Sequence, residues 1–391
     1  MIKFDFESYM PKVELNNSYE ELKDILKNDS MSGWFNIDKM ISNEEVMDIK
    51  KTALELSSVN DVLLVIGIGG SFLGAKAVND ALSAYFGDDL VIFAGTSLSS
   101  EYLIELWDFI MDKDIVINVV SKSGGTLEPS IAFDYFYEKL LSKYGEQELK
   151  NHIVITTDQS SGKLRAFAQK NNYKSFIIPA GVGGRYSVLS AVGLFPIAFA
   201  GFDIDVLLKG AKEVDISLAY KYACIRNYLY GVGKKVESYT FYEPKLLYFG
   251  EWLKQLFAES QGKNGKGLFP TCSINTRDLH SLGQFYQEGS KILFETVIIA
   301  DRTSDLYLNN YNMPMDNLNG IAASKVALAH LKNEVYSNFI VMDEINEYNM
   351  GYLIYFFEVA AAMGGYMLDV NPFDQPGVSE YKNLINEVIN K

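Results

Sequence analysis

The residues best suited to acid–base chemistry are one glutamate, one histidine and one lysine in the C-terminal part of the chain. Glu259 lies in the run ESQGK, His280 stands just before the run QFYQEG, and Lys382 ends the run FDQPGVSEYK. A carboxylate can accept a proton from a carbon next to a carbonyl, and an imidazole or an ammonium group of suitable pKa can move protons between oxygens. These are the groups needed to open a sugar ring and to move a proton between adjacent carbons.

The glycine-rich turn Gly67–Ser71, with the sequence GIGGS, is suited to binding a phosphate group or to bringing the backbone close to a ligand. It follows the apolar run VLLVI, and its glycines let the backbone approach a bound group. A dinucleotide fingerprint does not fit, because Phe72 stands where the third glycine is needed. A P-loop does not fit either, because Ala75 follows Gly74 where lysine is needed. A tight turn that binds nothing is the alternative interpretation.

A second turn, SKSGGT at Ser121–Thr126, offers hydroxyl groups at the predicted start of a helix. It follows the apolar run Ile115–Val120, and Pro129 stands in the first helical turn, where its missing N–H costs nothing. Free N–H groups at a helix start attract anions, and the charge of Lys122 adds to this attraction. The turn therefore predicts a phosphate site, with a simple capped turn as the alternative.

A third glycine cluster, GVGGR, ends in Arg185 and also follows a predicted strand. A guanidinium group in this place is able to stabilise negative charge that develops on a substrate oxygen. The alternative is a surface salt bridge.

The elements that position these residues read as a two-domain α/β chain. Unalternated apolar runs separated by helical stretches indicate parallel strands buried on both faces. We predict an N-terminal segment and first domain over residues 1–200, a second domain over 201–375 and a C-terminal helix over 376–391. The predicted strands are Val62–Ile66, Val91–Ala94, Ile115–Val120, Ile153–Thr157, Phe176–Ile178, Val236–Tyr242, Leu268–Ile274, Glu295–Ala300 and Asn338–Met342.

Helical spacing places two pairs of candidate residues. On the predicted helix Lys245–Ser260, Gln255 and Glu259 are four residues apart and share a face. Gln375 and Lys382 are seven residues apart, so a helix after Pro376 brings them near one face. The other predicted helices are Gly74–Tyr85, Ser130–Tyr144, Ile204–Tyr220, Asn317–Lys332, Glu344–Met367 and Val378–Asn390.

Composition excludes several classes of function. The formal net charge of −15 argues against a general nucleic-acid binder. Cys224 and Cys272 give neither a disulfide framework nor metal-ligand spacing, which fits a reducing compartment. The apolar stretch Met350–Leu368 carries Glu358 and is predicted to be a buried helix in a core or a subunit interface. The N-terminal residues lack an apolar core of signal-peptide length, so we expect a cytoplasmic protein.

Several of these runs resemble signatures of the glucose-6-phosphate isomerase family. In chain order they are GIGGSFLGAKA, SKSGGTLEPS, GVGGRYSVLSAVGL, FGEWLKQLFAESQGK, DLHSLGQFYQEG and FDQPGVSEYK, and they span roughly residues 67–382. The resemblance implies two sugar-isomerase (SIS) domains, each a mainly parallel doubly wound sheet. It implies a homodimer with active sites near the subunit boundary, acting on glucose 6-phosphate and fructose 6-phosphate without a metal or redox cofactor.

The resemblance also implies a role for each candidate residue. Glu259 matches the base that moves the proton between C1 and C2, and Arg185 matches the arginine that stabilises the enediolate. His280 and Lys382 match the pair that opens the ring, His280 being supplied by the other subunit in family dimers. The expected substrate-binding residues are Gly70, Ser71, Ser121, Lys122, Ser123, Thr126, Gln255 and Gln375.

One position departs from the family pattern. Gly125 stands where many relatives have threonine, which removes one hydroxyl donor from the phosphate loop.

The competing functions are a non-catalytic SIS module that senses a sugar phosphate, and an isomerase that also accepts mannose 6-phosphate. An aminotransferring relative fits less well, because no N-terminal cysteine nucleophile precedes the SIS pattern.

Overall fold

The computed structural model describes residues 2–13, 18–87, 90–122 and 124–389. Its contacts divide the chain into two compact units. The first-sheet unit contains residues 29–214 and 345–354. The second-sheet unit contains residues 1–28, 215–344 and 355–391.

Strands are numbered in chain order. They are β1 Lys3–Asp5, β2 Val62–Ile66, β3 Val91–Ala94, β4 Ile115–Val120, β5 Ile153–Asp158, β6 Lys174–Ile178, β7 Val236–Phe241, β8 Phe269–Ile274, β9 Leu293–Arg302, β10 Tyr307–Leu308, β11 Met313–Pro314 and β12 Ser337–Glu344.

Helices are numbered in the same way. They are α1 Tyr19–Asn28, α2 Ile37–Met40, α3 Asn43–Ser57, α4 Leu73–Leu82, α5 Ser100–Ile110, α6 Leu127–Leu149, α7 Lys163–Asn171, α8 Ala191–Phe199, α9 Ile204–Lys212, α10 Ile216–Gly231, α11 Leu247–Gln261, α12 Leu279–Glu288, α13 Met315–Leu331, α14 Glu347–Met367 and α15 Ser379–Ile389.

The first sheet has the strand order β3-β2-β4-β5-β6, and all its pairings are parallel. Every residue of β2 and β4 is buried, as the unalternated apolar runs predicted. Ile66, Ile117 and Ile155 are fully buried in one core cluster with side chains of α5, α6 and α7. The strand order reverses around β2, so the turns that follow β2 and β4 lie at a switch point of the kind that binds ligands in such sheets.

The second sheet has the strand order β1-β12-β9-β7-β8. Its pairings are parallel except for β1, which runs antiparallel to β12 with Phe4 opposite Ile340. The prediction grouped the N-terminal segment with the first domain over residues 1–200, whereas β1 of that segment pairs with β12 in the second-sheet unit. Alternation along three residues carries no information about the strand with which they pair, and this explains the difference.

The predicted helix Ile204–Tyr220 is two helices, α9 and α10. The chain leaves the helical conformation after Lys212, and Asp215 begins α10 by accepting a hydrogen bond from the backbone N–H of Ser217. Aspartate is favoured at such N-cap positions because its oxygen satisfies an N–H that has no intrahelical partner. A helical period that continues across a short break conceals the break.

Helix α14 contains the long apolar stretch of the sequence. Met350, Phe356 and Met363 are fully buried within the chain itself, so this stretch belongs to the protein interior. The boundary between the two units falls inside the helix, between Ile354 and Tyr355. Among the described residues, no helix has the length and apolar character needed to cross a membrane.

Candidate active site

The turn after β2 is packed against the turn after β6. A Cβ atom on Gly70 would lie 2.1 Å from the carbonyl carbon of Gly184 and 2.7 Å from the backbone nitrogen of Arg185. Only glycine at residue 70 permits this approach. The structure therefore brings Gly70 and Ser71 together with Arg185, three residues that the sequence predicted to serve one site.

The turn after β4 holds Ser121 firmly. Its backbone N–H donates to the carbonyl of Thr156, and its own carbonyl accepts from the hydroxyl of Thr157. The Ser121 Oγ accepts a hydrogen bond from the N–H of Gly124 at 3.0 Å. Gly124 has a φ of 68°, a conformation that favours glycine. Ser123, the other predicted serine of this loop, lies outside the described residues.

Lys122 and Thr126 occupy different places in the same loop. Lys122 is exposed, and its Nζ donates to the carbonyl of Val182, which links the loop to the turn that carries Arg185. Thr126 is the N-cap residue of α6, and its side chain makes no capping hydrogen bond with the residues that the structure describes. Its hydroxyl therefore stands at a helix N-terminus, where the helix dipole favours an anion.

Arg185 is buried, so a surface salt bridge does not describe it. The side chain is 2% exposed, and its guanidinium carbon lies 5.5 Å from the centre of the Tyr186 ring. Trp34 stacks on Tyr186 in turn, with centroids 4.7 Å apart and an interplanar angle of 18°. The N–H of Gly33 also donates to the carbonyl of Gly181. The segment around Trp34 thus supports the turn that holds Arg185.

In the second-sheet unit, α11 carries Glu259 and Gln255 on one face, as predicted. The Nε2 of Gln255 is 3.4 Å from the Oε2 of Glu259, and the glutamate is half-buried. The Oε1 of Gln255 is buried and accepts no hydrogen bond from any residue that the structure describes. This amide oxygen is a polar atom that a ligand hydroxyl would satisfy.

The residues that follow Glu259 fix the end of α11. The Nε2 of Gln261 donates to the carbonyl of Ala361 at 3.0 Å. The Nζ of Lys263 donates to the carbonyl of Asn371 and lies 2.8 Å from the Oδ1 of Asp374. Because Asp374 immediately precedes Gln375, the ESQGK run is tied to the loop that carries a second predicted glutamine.

His280 lies in the first turn of α12, just beyond β8. Its side chain is exposed. Asp278, two residues earlier, accepts hydrogen bonds from Arg277 and from the N–H of Ile274. The bond from the Arg277 side chain lowers the pKa of the Asp278 carboxyl and keeps it charged at the start of the helix.

Lys382 is exposed on α15, and Gln375 lies before that helix rather than on it. Gln375 has φ −150° and ψ 68°, and it is followed by a short 3₁₀ turn at Pro376–Val378. The seven-residue spacing therefore does not place Gln375 and Lys382 on one helical face. The proline ring and the break in helical geometry before Ser379 account for the difference.

Several supporting residues have no signature in the sequence. Trp34 and Tyr186 stack beside Arg185, and Gln261 anchors α11, yet none of the three was a predicted site residue. Trp34 is one of three tryptophans in the chain, and this rarity was the one available signal. Within the described residues, no group of three or more His, Cys, Asp or Glu side chains is placed to hold a metal ion.

The chain is similar to known proteins over most of its length. The family model for phosphoglucose isomerase matches residues 37–269, a range that contains both Arg185 and Glu259. A glucose-6-phosphate isomerase of Clostridium tetani (strain Massachusetts / E88) is 45% identical over 390 residues, which cover 92% of this chain and 87% of that protein.

Solved structures agree on the fold. A hypothetical protein from Thermus thermophilus superposes with a TM-score of 0.85 at 27% identity, covering 95% of this chain and 94% of that one. A glucose-6-phosphate isomerase from Chlamydia trachomatis D/UW-3/Cx superposes with a TM-score of 0.81 at 23% identity, covering 98% and 81%. The predicted α/β fold with two SIS domains is confirmed. The chain is an enzyme of the phosphoglucose isomerase family.

Proposed function

We propose that this protein interconverts glucose 6-phosphate and fructose 6-phosphate, a step of glycolysis and gluconeogenesis, with Glu259 as the proton shuttle. The observation that carries the proposal is the 45% identity to the Clostridium tetani protein of that name over 92% of this chain. The placement of half-buried Glu259 beside Gln255 supports it, because a general base needs a fixed carboxylate that a ligand can still reach.

The first step opens the sugar ring. His280 and Lys382 serve this step: the ring oxygen gains a proton, the C1 hydroxyl loses one, and the bond between C1 and the ring oxygen breaks to leave an aldehyde. The exposure of both side chains on their helices leaves them accessible to a ligand.

The second step moves hydrogen between carbons. Glu259 takes the proton from C2, the C–H electrons form a C1–C2 double bond, and negative charge passes to O1 to give a cis-enediolate. Arg185 stabilises this charge, since a guanidinium stays protonated under all physiological conditions. Return of the proton to C1, with transfer of the O2 proton to O1, gives the ketose. This chemistry needs no metal or redox cofactor.

The remaining residues hold the substrate. Ser121, Lys122, Ser123 and Thr126 bind the phosphate, supported by the position of Thr126 at the N-terminus of α6. Gly70, Ser71, Gln255 and Gln375 contact the sugar. The buried Oε1 of Gln255 supports its share of this role, because a substrate hydroxyl supplies the missing donor.

We also propose that the protein is a cytoplasmic homodimer. The exposure of His280 on α12 supports the idea that this side chain acts in the site of a second copy. Light scattering coupled to gel filtration tests the dimer. Mixing inactive His280→Ala with inactive Glu259→Gln then tests shared sites, because subunit exchange restores activity only if the two residues come from different copies.

The central test is a coupled assay that converts fructose 6-phosphate to glucose 6-phosphate. Wild-type protein treated with EDTA and desalted is expected to keep its full activity. Glu259→Gln is expected to lose roughly 10²–10⁴-fold in kcat, because the change is nearly isosteric and removes the proton acceptor. Glu251→Gln is the matched control on the same helix, where Glu251 pairs with Lys254. Activity of Glu259→Gln within tenfold of wild type would refute the assignment of the base.

A further inference from the structure

The helix that carries Glu259 is held by a buried arginine that the reaction scheme does not use. Arg226, on α10, is 2% exposed, and Glu237, on β7, is fully buried. The Nε of Arg226 donates to the Oε2 of Glu237 at 2.6 Å. Every residue of this cluster belongs to the second-sheet unit.

The carboxylate of Glu237 is saturated with hydrogen bonds. Tyr222 and Thr296 donate to its Oε1 at 2.6 and 2.8 Å. Tyr239 donates to its Oε2 at 3.0 Å, beside the Arg226 bond. A buried charge with this many partners is fixed in place, because breaking any of the bonds leaves a polar atom unsatisfied away from water. The pair therefore offers α11 a rigid point of attachment.

Arg226 contacts α11 at two residues, one on each side of Glu259 in the sequence. Its guanidinium carbon lies 3.9 Å from the centre of the Phe257 ring. Its Nη1 donates to the Oε1 of Gln261 at 2.7 Å. Phe257 and Gln261 are four residues apart and share a helix face, whereas Glu259 is two residues from each, a rotation of about 200°. Glu259 therefore projects from the face opposite to Arg226.

Helix α14 also contacts Gln261, and a glycine on α14 leaves room for the amide group of this side chain. Gln261 donates to the carbonyl of Ala361, and a Cβ atom on Gly364 would lie 2.4 Å from the Nε2 of Gln261. Gln261 is 2% exposed, so its amide has no alternative place in solvent without moving the end of α11.

We propose that Arg226 and Gln261 are positioning residues for the proton shuttle. The buried Arg226–Glu237 pair binds the face of α11 opposite Glu259 and thereby fixes the position of the Glu259 carboxylate. The inference rests on the proposed function, since it concerns the same glutamate. A displacement of about 1 Å at a reacting group can cost on the order of 10²-fold in rate. The proposed phosphate loop belongs to the first-sheet unit, so we expect a shift of α11 to leave its affinity for inorganic phosphate unchanged.

Four variants test the inference in the isomerase assay. Gln261→Leu removes both amide bonds and is expected to lower kcat roughly 10- to 100-fold, with KM and the inhibition constant of inorganic phosphate within about threefold of wild type. Gln261→Glu keeps the acceptor for Arg226 but loses the donor to Ala361, so it is expected to recover part of the kcat that Gln261→Leu loses. Gly364→Ala pushes on Gln261 from α14 and is expected to behave like Gln261→Leu. Gly320→Ala is the matched helical control, because a Cβ atom there meets nothing within 4 Å.

A primary isotope effect separates positioning from loss of stability. With glucose 6-phosphate deuterated at C2, Gln261→Leu is expected to show a larger deuterium effect on kcat than wild type, because misplacement slows proton transfer itself. Asn60→Leu, which removes a buried amide bonded to the carbonyl of Leu56, is the stability control and is expected to leave the isotope effect unchanged.

The outcomes distinguish the inference from the function on which it rests. Near-wild-type activity of Glu259→Gln would refute the base assignment itself. Loss of activity in Glu259→Gln with wild-type kcat in Gln261→Leu would refute the positioning role alone, as would equal losses in Gln261→Leu and Gln261→Glu. If Gln261→Leu does not fold, Gly364→Ala decides, because it acts on Gln261 from α14 without substituting any residue of α11 or of the Arg226–Glu237 pair.

Discussion

Gly70 and Gly184 hold the turns after β2 and β6 against each other with no side chain between them. A Cβ atom on Gly70 would fall 2.1 Å from both the carbonyl carbon and the oxygen of Gly184. These are backbone atoms, which cannot rotate away as the end of a side chain does. The contact fixes Ser71 and Arg185 relative to each other. Their relative position therefore depends on residue 70 having no side chain.

Gly70→Ala is therefore expected to separate the two turns and to lower kcat/KM by roughly 10²-fold, the cost of a displacement of about 1 Å at a charged catalytic group. Gly231→Ala is the control, because a Cβ atom at the end of α10 meets nothing within 4 Å. Steady-state kinetics and circular dichroism of both variants check the expectation. A Gly70→Ala enzyme with wild-type kinetics would show that the turns accommodate the methyl group.

The sequence predicts side-chain contacts between residues that are near each other along the chain. The contact between Gln255 and Glu259 follows from their four-residue spacing on a helix. The contact between Gly70 and Gly184 joins turns more than 100 residues apart, and periodicity gives no information about such pairs. Arg226 was not foreseen for a related reason, because a charged residue within a helical pattern is normally assigned to the surface.

Helix α12, the element that carries His280, is attached to its unit by few contacts. Tyr286 is its one buried residue among those described. The Tyr286 ring stacks on His330 with centroids 5.1 Å apart, and its hydroxyl donates to Ser238 at 2.8 Å. The Nδ1 of His330 lies 2.6 Å from the Oε2 of Glu295. A short helix with so little buried surface should open more readily than its neighbours.

Amide hydrogen exchange is expected to be faster in α12 than in α11, whose face toward the core is fully buried. Tyr286→Ala should accelerate exchange throughout α12 and reduce activity through His280, whereas Tyr286→Phe should retain most of the protection because the ring stack remains. Exchange followed by mass spectrometry measures both effects. Unchanged α12 protection in Tyr286→Ala would show that other contacts hold the helix.

Helix α14 contains a carboxyl group in an apolar environment. Glu358 is 1% exposed, and its Oε1 has no hydrogen-bond partner among the described residues. Burial raises the pKa of this carboxyl well above its usual value of 4.5. The folded protein therefore binds this proton more tightly than the unfolded chain, and the contribution of Glu358 to stability falls as pH rises above the unfolded pKa.

Glu358→Met is expected to raise the free energy of unfolding at pH 8 by about 1–3 kcal/mol, the usual cost of an unsatisfied buried polar group. The difference from wild type should shrink as the pH falls toward about 4, where the carboxyl is largely protonated in both states. Urea unfolding at several pH values provides the measurement. A variant less stable than wild type at pH 8 would mean that the carboxyl has a partner that compensates for its burial.

Most strands begin and end within two or three residues of the bounds that their apolar runs predict. Strands β2, β3 and β4 match their predicted bounds because each is an apolar run that ends at a turn-forming or polar residue. Helix α12 was not predicted: its run LHSLGQFYQE is short, and it exposes Leu282 and Phe285. Because these two apolar side chains are exposed, the apolar pattern does not show which face of α12 packs against the protein.

At the scale of the whole molecule, the chain does not divide into two consecutive segments. The second-sheet unit takes in residues 1–28, whose strand β1 pairs with β12. Phe6 is 5% exposed, and its ring lies 5.8 Å from that of Tyr222. The N-terminal residues therefore contribute to the core of a unit that is otherwise formed by the second half of the chain.

Phe6→Ala is expected to destabilise the second-sheet unit by about 3–5 kcal/mol, the range for a buried phenylalanine. Hydrogen exchange should rise in β12 and α10, while β2 and β4 of the first-sheet unit keep their protection. Phe86→Ala is the control, because that ring is fully exposed. Increased exchange in β2 and β4 alone would contradict the assignment of the N-terminal strand to the second-sheet unit.

The pairing of β1 with β12 also has a consequence for the order of synthesis. Asp5 ends β1, and Ser337 begins the strand that pairs with it, so roughly 330 residues are translated between them. At about 5–20 residues per second, the interval is on the order of tens of seconds. Through that time the ribosome-bound chain carries an unpaired strand edge with Phe4 and Phe6 beside it. The second sheet can reach its full width only after β12 has left the exit tunnel.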